Sequence, residues 1–235
     1  MFRIFIKSLQ TGIVTTGYPS VEDIPAPGFR GLPEWHSENC VKCGHCASNC
    51  PTEAIKTGKS NVFWSVDAKR CIFCGFCEEA CNNNAVSLGN RFELSETVDE
   101  PQHKIFGRSV HIRHLDAGSC NGCDWEMVAL TGPVYDIQRL GFDFVASPRH
   151  ADVLMVTGPV TRNLEIAARK TFSATPAPKL VLAVGTCACS GGICGKSYAS
   201  RGGVDNVLPV DCYIPGCPPR PQALIHGLMK AVARL

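Results

Sequence analysis

The chain of 235 residues has no uninterrupted run of about 18 apolar residues, so no segment is expected to cross a membrane as a helix. Its opening stretch, MFRIFIKSLQ, holds no long apolar core followed by small residues and no adjacent pair of arginines. Neither a secretory nor a twin-arginine leader is expected there. Charge of neither sign dominates: 23 Lys and Arg stand against 21 Asp and Glu, a formal +2, which gives nucleic acid no electrostatic reason to bind. The 7 histidines show no metal-ligand spacing, and no nucleophile stands beside a base in a catalytic pattern.

Cysteine is what the chain has in excess, 15 in all. A secreted disulfide scaffold would be shorter and would carry a leader, so metal binding in the cytoplasm is the better reading. Cys40, Cys43, Cys46 and Cys50 form a C-x2-C-x2-C-x3-C row, and Cys71, Cys74, Cys77 and Cys81 repeat it 31 positions later. Thiolates at this spacing are the ligand set of two [4Fe-4S] clusters of the bacterial ferredoxin kind, in which the fourth cysteine of each row serves the other cluster. Cys40, Cys43, Cys46 and Cys81 are therefore expected to hold one cluster, and Cys71, Cys74, Cys77 and Cys50 the second. Structural zinc is the competing reading of any four-cysteine site, though two interlocked rows favour clusters. Gly44 and Gly75, between the second and third cysteines, permit close backbone approach. Asn82 stands where the ferredoxin pattern has proline, the one place where the doubled pattern is not kept.

The repeat continues beyond the ligands as Ala54-Ile55 and Ala85-Val86, apolar pairs that screen a cluster from water. Turn residues from Gly58 to Asn61 precede an expected short strand at Val62, Phe63 and Trp64. Phe2, Ile4, Phe5, Ile6 and Leu9, with Arg3 and Lys7, form an amphipathic start suited to docking, with membrane contact as the second reading. The polar stretch 93–109 reads as a connection, with 99–109 as the linker between a module at 1–98 and a domain at 110–235. From Val110 onward strands and helices alternate: SVHIRHLD, DVLMVTGPV, KLVLAVG and VLPVDCYIPG read as strands, with helices in WEMVALTGP, TRNLEIAARKTF and PPRPQALIHGLMKAVARL. The expected fold class is an α+β ferredoxin-like two-cluster module followed by an α/β flavodoxin-like domain with a mostly parallel sheet. Cysteines fall just after the expected strands, where such sheets place ligands.

Phe29-Arg30-Gly31, Pro33-Glu34 and the run Arg70-Cys71-Ile72-Phe73-Cys74-Gly75 resemble the ferredoxin-like subunit of formate hydrogenlyase and its relative in respiratory complex I, over about residues 1–90. By itself, Cys120-Asn121-Gly122-Cys123 at the start of a helix reads equally as a redox dithiol or half a zinc site. Two further segments, Gly185-Thr186-Cys187-Ala188 and Pro215-Gly216-Cys217-Pro218-Pro219, change that. With Ser147-Pro148-Arg149-His150-Ala151-Asp152 and Thr157-Gly158-Pro159-Val160 they resemble the [NiFe] hydrogenase small subunit and the 20 kDa subunit of complex I, across residues 110–235.

The resemblance implies a third cluster on Cys120, Cys123, Cys187 and Cys217, three [4Fe-4S] clusters in all, in a fusion of two subunits that relatives make separately. It implies an oxidoreductase subunit with no catalytic residue of its own, since the paired nickel-ligand motifs are lacking. Its implied partners are a [NiFe] hydrogenase large subunit, an electron-donor module or soluble ferredoxin, and membrane subunits holding it at the inner face of the cell membrane. The C-x2-C form, where the complex I relative has adjacent cysteines, favours the energy-converting (group 4) hydrogenase branch over a quinone-reducing, complex I-like subunit, as does His111-Ile112-Arg113-His114-Leu115-Asp116-Ala117-Gly118. Glu126 matches an acidic family position and is a candidate proton-path residue; a carboxylate stabilised by the helix N-terminus is the other reading. Cys189, Cys194 and Cys212 remain for packing or incidental exposure, with Cys189 the one near enough in sequence to replace a ligand.

Overall fold

The computed structural model describes residues 2–58, 63–98 and 106–235. Most of the expected linker (99–105), Val62 and the turn positions 59–61 lie outside the described residues. Helix α1 (Phe2–Thr11) is followed by β1 (Pro33–Trp35), α2 (His45–Ser48), β2 (Ile55–Thr57), β3 (Trp64–Val66), α3 (Phe76–Glu79) and β4 (Val86–Leu88). β1 pairs with β4 and β2 with β3, both antiparallel, so each half of the cysteine repeat contributes a strand to each pair.

The backbone repeats with the sequence. Lys42 and Phe73, Gly44 and Gly75, and Glu53 and Asn84 each have positive φ, and each pair is 31 residues apart. Asn82 does not disturb this symmetry. The Asn84 N–H donates to the Cys81 carbonyl at 3.1 Å, just as the Glu53 N–H does to the Cys50 carbonyl at 3.2 Å. The turn needs φ and ψ that asparagine supplies as well as proline does.

The second half contains β5 (Glu96–Thr97), β6 (Val110–Asp116), α4 (Gly122–Leu130), β7 (Phe142–Phe144), β8 (Val153–Thr157), α5 (Glu165–Ala174), β9 (Leu180–Val184), α6 (Thr186–Ser190), β10 (Cys212–Ile214) and α7 (Pro221–Ala231). These strands make one six-stranded sheet in the order β5-β10-β9-β8-β6-β7, parallel except for β5. β8 is buried at every position and both its faces are apolar. Val153 and Met155 pack with Leu224, Ile225 and Leu228 of α7, whereas Leu154 and Val156 pack with Ala168 of α5 and Ala188 of α6. A strand covered by helices on both sides reads in sequence as an unbroken apolar run, which is why β8 and β9 were recognisable. The order reverses between β6 and β8, and the loop after β6 and the start of α4 at that switch point carry Cys120 and Cys123.

Three features differ from expectation. β10 is only 3 residues long, because Val207 and Leu208 leave the strand to fill the core under α6. β5 lies in the stretch read as connection, yet pairs antiparallel with β10 and so completes the second sheet from the first module's side. Residues 15–18 also belong to the second core: the Thr16 N–H donates to the Val134 carbonyl at 2.8 Å, and the buried Tyr18 sits in the cluster with Ile137 and Phe142. Two-residue pairings and extended straps leave no periodic signal.

Candidate cluster-binding sites

The structure gathers the thiols into three groups. Cys40, Cys43, Cys46 and Cys81 line a cavity of about 140 Å³, from which Cys50 is absent. Cys50, Cys71, Cys74 and Cys77 line a second, from which Cys81 is absent. The fourth cysteine of each row thus stands with the other row. The cause is local: after each short helix (α2, α3) the chain turns away from its own loop at Cys50 or Cys81 and crosses to the neighbouring half.

Backbone amides are already turned toward sulfur. Ala54 N–H donates to Cys50 Sγ at 3.2 Å, Ala85 N–H to Cys81 Sγ at 3.2 Å and Phe73 N–H to Cys71 Sγ at 3.4 Å. Burial is the first cause of the thiol shifts here: it pushes Cys71 up to about 11 and Cys77 up to about 12, with neighbouring cysteines adding to it. Such thiols stay protonated until iron displaces the proton, so metal binding is coupled to proton release.

The third group comes from three loops at the carboxyl ends of β6, β9 and β10. Cys123 opens α4, Cys187 opens α6, and Cys217 follows β10. Burial pushes the Cys123 thiol well up, with repulsion from Cys187, Cys120 and Cys217 added to it. Cys187 is pushed up to about 11 by burial and then by Cys217, Cys194 and Cys120. Cys120, Cys187 and Cys217 all act on Cys123, so the loops bring the expected quartet to one place. The α4 entry is tied by Asp124, which accepts from Ser119 Oγ at 2.8 Å and Thr157 Oγ1 at 3.0 Å and lies 3.1 Å from His114 Nε2.

Cys189 takes no part. It is fully buried and its thiol donates to the Ala183 carbonyl at 3.4 Å, so nearness in sequence misleads: α6 turns it to the core side. Cys212 is buried in the other core layer, and the exposed Cys194 is the spare thiol that lies near Cys187. Glu126 is half-buried, and burial raises its carboxyl despite Arg220 nearby. Among the described residues no group of three or more His, Cys, Asp or Glu side chains is set to hold a single metal ion. The thiols, the inward amides and the positive-φ loops fit a larger, sulfur-rich group. The next observation supports the same fit: Trp35 and Trp64 line the first cavity, and the indole N–H of each is buried without a partner.

The second and third groups adjoin. Cys74 and Cys217 line one cleft, and the charge of Cys74 acts on Cys217. Thr186, 1% exposed, holds the contact: its hydroxyl donates to the Cys71 carbonyl at 2.7 Å, with the Gly216 carbonyl at 3.1 Å sharing the proton. Ser190 Oγ donates to the Lys69 carbonyl at 2.9 Å, and Arg30 Nη1 to the Cys74 carbonyl at 2.8 Å. Nothing in the spacing of Thr186 marks it as an interdomain donor. Thr186→Val, which removes the donor and keeps the shape, is expected to lower unfolding stability by about 1–3 kcal/mol, the cost of a buried carbonyl left unpaired. Thr186→Ser should lose less. Anaerobic denaturant unfolding reads both, and equal stability of all three proteins would show that the hydroxyl carries no docking energy.

Fold and donor sets together define an iron-sulfur electron-transfer oxidoreductase subunit. The profile of the NADH ubiquinone oxidoreductase, 20 Kd subunit, matches residues 120–231, and that of a 4Fe-4S dicluster domain matches residues 39–86. The probable membrane-bound hydrogenase subunit mbhJ of Pyrococcus furiosus is 45% identical over 132 residues, covering 56% of this chain and 79% of that protein. Formate hydrogenlyase subunit 7 of Escherichia coli is 44% identical over 132 residues, 56% of this chain and 52% of its own. One subunit of the NADH-quinone oxidoreductase of Clostridium beijerinckii is 51% identical over 108 residues, 46% of this chain and 64% of its own. The chain belongs to the 20 Kd subunit family and carries a dicluster ferredoxin domain ahead of it. No helix among the described residues is long and apolar enough to cross a membrane.

Proposed function

We propose that this chain is the electron-transfer subunit of a membrane-associated [NiFe] hydrogenase complex of the formate hydrogenlyase type. It unites a ferredoxin module (1–98) and a flavodoxin-like small-subunit domain (110–235) that relatives make as two chains. Three [4Fe-4S] clusters are assigned to it: an outer one on Cys40, Cys43, Cys46 and Cys81, a middle one on Cys50, Cys71, Cys74 and Cys77, and a terminal one on Cys120, Cys123, Cys187 and Cys217. When bound, each supplies a site for one transferable electron. The chain's own residues supply thiolate ligands, amide donors and an apolar wall, and they set the order of the three sites. The terminal site serves a Ni-Fe centre in a partner large subunit, and the outer site a donor module or soluble ferredoxin. The complex sits at the cytoplasmic face of the cell membrane through its membrane subunits, and Glu126 is its candidate proton-path residue.

The observation that carries this reading is the likeness to the hydrogenase subunits, which extends over 79% of mbhJ. The strand order, second-first-third-fourth-fifth from β6 onward, supports the flavodoxin-like assignment. The likeness to the NADH-quinone oxidoreductase of Clostridium beijerinckii keeps a second reading, a complex I-like protein delivering electrons to a quinone or another acceptor. Metal analysis of the anaerobically purified complex separates them. Three cubane clusters require about 12 irons per chain, and fewer at full loading would end the three-cluster assignment. Nickel in stoichiometric amount is expected, and an active complex free of nickel would establish the quinone-type reading instead.

A further inference from the structure

The two halves of the ferredoxin module are alike in backbone and unlike in one chemical respect. β1 and β3 correspond at the 31-residue offset of the cysteine repeat, so Trp64 stands where the other half has Pro33, and Trp35 where it has Val66. The outer cavity is walled by both tryptophans, whose rings stack with centroids 6.3 Å apart and planes 16° from parallel. The cavity of Cys50, Cys71, Cys74 and Cys77 has Pro33 in its wall, and Val66 packs beside Cys50 and Cys71. At these positions one half therefore offers two indole N–H donors and the other hydrocarbon, its side-chain donor at the second cavity being the single hydroxyl of Thr52, 3.7 Å from Cys50 Sγ.

Both donors lack acceptors. Nε1 of Trp35 and Nε1 of Trp64 are sealed from solvent with no hydrogen-bond partner, and Trp64 is 7% exposed overall. A buried donor left unpaired is costly, and a native core seldom keeps two side by side unless something in the site accepts from them. Trp64 and Cys46 pack in one cluster and line the same cavity. The acceptor this wall calls for is electron-rich sulfur.

We propose that Trp35 and Trp64 are tuning residues that donate N–H···S hydrogen bonds to the cluster on Cys40, Cys43, Cys46 and Cys81 and raise its reduction potential above that of its near-twin on Cys50, Cys71, Cys74 and Cys77. This rests on the cluster assignment above. The sign follows from charge. Reduction adds one electron and no proton, the reduced cluster accepts hydrogen bonds more strongly than the oxidised one, and a donor present in both states stabilises the reduced state more. The half with two donors is then the easier to reduce.

The test is an EPR-monitored redox titration of the intact complex. Trp64→Phe and Trp35→Phe should each lower one potential and leave the others in place. A tenfold change in the one-electron equilibrium is about 59 mV. Each variant should also lose an exchangeable deuteron coupling to the reduced outer cluster. Phe63 lines the same cavity without a donor, so Phe63→Leu should leave the potential where it was. Variants that load poorly are compared with wild type at matched iron after anaerobic reconstitution. Unchanged potentials in both tryptophan variants, or an equal shift in Phe63→Leu, would overturn the proposal. Failure of the underlying assignment looks different: Cys40→Ala would then remove no iron and no signal.

Discussion

Gly185→Ala is expected to strip the terminal cysteine group of its cluster while the two ferredoxin sites stay loaded. Gly185 ends β9 and leads into Cys187 with φ +83° and ψ 158°, a conformation open almost only to glycine. A methyl group there would stand 2.4 Å from Cys123 Sγ, well inside van der Waals contact and directly on a proposed ligand. The backbone cannot retreat easily, because the Gly185 N–H donates to the Ile214 carbonyl at 2.8 Å and the Thr186 N–H to the Gly216 carbonyl at 2.8 Å. The strain alone costs on the order of 1–3 kcal/mol. The clash moves Cys123 out of the quartet. Iron should fall from about 12 to about 8 per chain, with the EPR signals of the ferredoxin sites retained. A variant that keeps full iron and the terminal signal would show that Cys123 is not held against this loop.

Cys50→Ala and Cys81→Ala should have opposite consequences, each on the row in which the cysteine does not stand. Cys50 lines the cavity of Cys71, Cys74 and Cys77, and Cys81 that of Cys40, Cys43 and Cys46. Losing Cys50 therefore disables the middle site, the one beside Cys217, and interrupts the line between the outer and terminal sites. Losing Cys81 removes only the outer site and leaves the middle and terminal sites in magnetic contact. Both variants should lose about 4 irons, so iron content alone does not distinguish them. The distinguishing readout is the spin–spin interaction between reduced clusters, abolished in Cys50→Ala and retained in Cys81→Ala. The reverse pattern would mean that each row binds its own cluster and that the crossing of the fourth cysteines has no part in ligation.

Much of the site is visible in the amino-acid order because its donors are set by local spacing. Two tight C-x2-C-x2-C loops place three sulfurs within one turn of chain, and no distant contact is needed to recognise them. β8 and β9 are equally legible, since a strand buried on both faces has to be apolar at every position. The short strands β5 and β7 and the strap at residues 15–18 were not legible. Each is decided by a partner far away in the chain: β10 for β5, β6 for β7, and Val134 and Arg139 for the strap. Trp35 and Trp64 belong with these. They are 29 residues apart, and only the pairing of β1 with β4 and of β2 with β3 brings them to one wall.

The sequence by itself determined the proposed donors: eight thiols of the doubled row by their spacing, and four of the second domain by family resemblance. Tertiary structure alone decided the order in which the sites stand. Both ferredoxin sites carry the same ligands at the same spacing, so nothing local says which of them meets the terminal group. That is settled by surface chemistry between the modules. The Thr186 hydroxyl reaches the Cys71 carbonyl, Ser190 reaches Lys69, and β5 adds to the second sheet, all at the Cys71 end and far from Cys40 in the repeat. Contacts between residues more than a hundred positions apart are satisfied only in the folded chain, and they make one twin the middle of the line and the other its outer end.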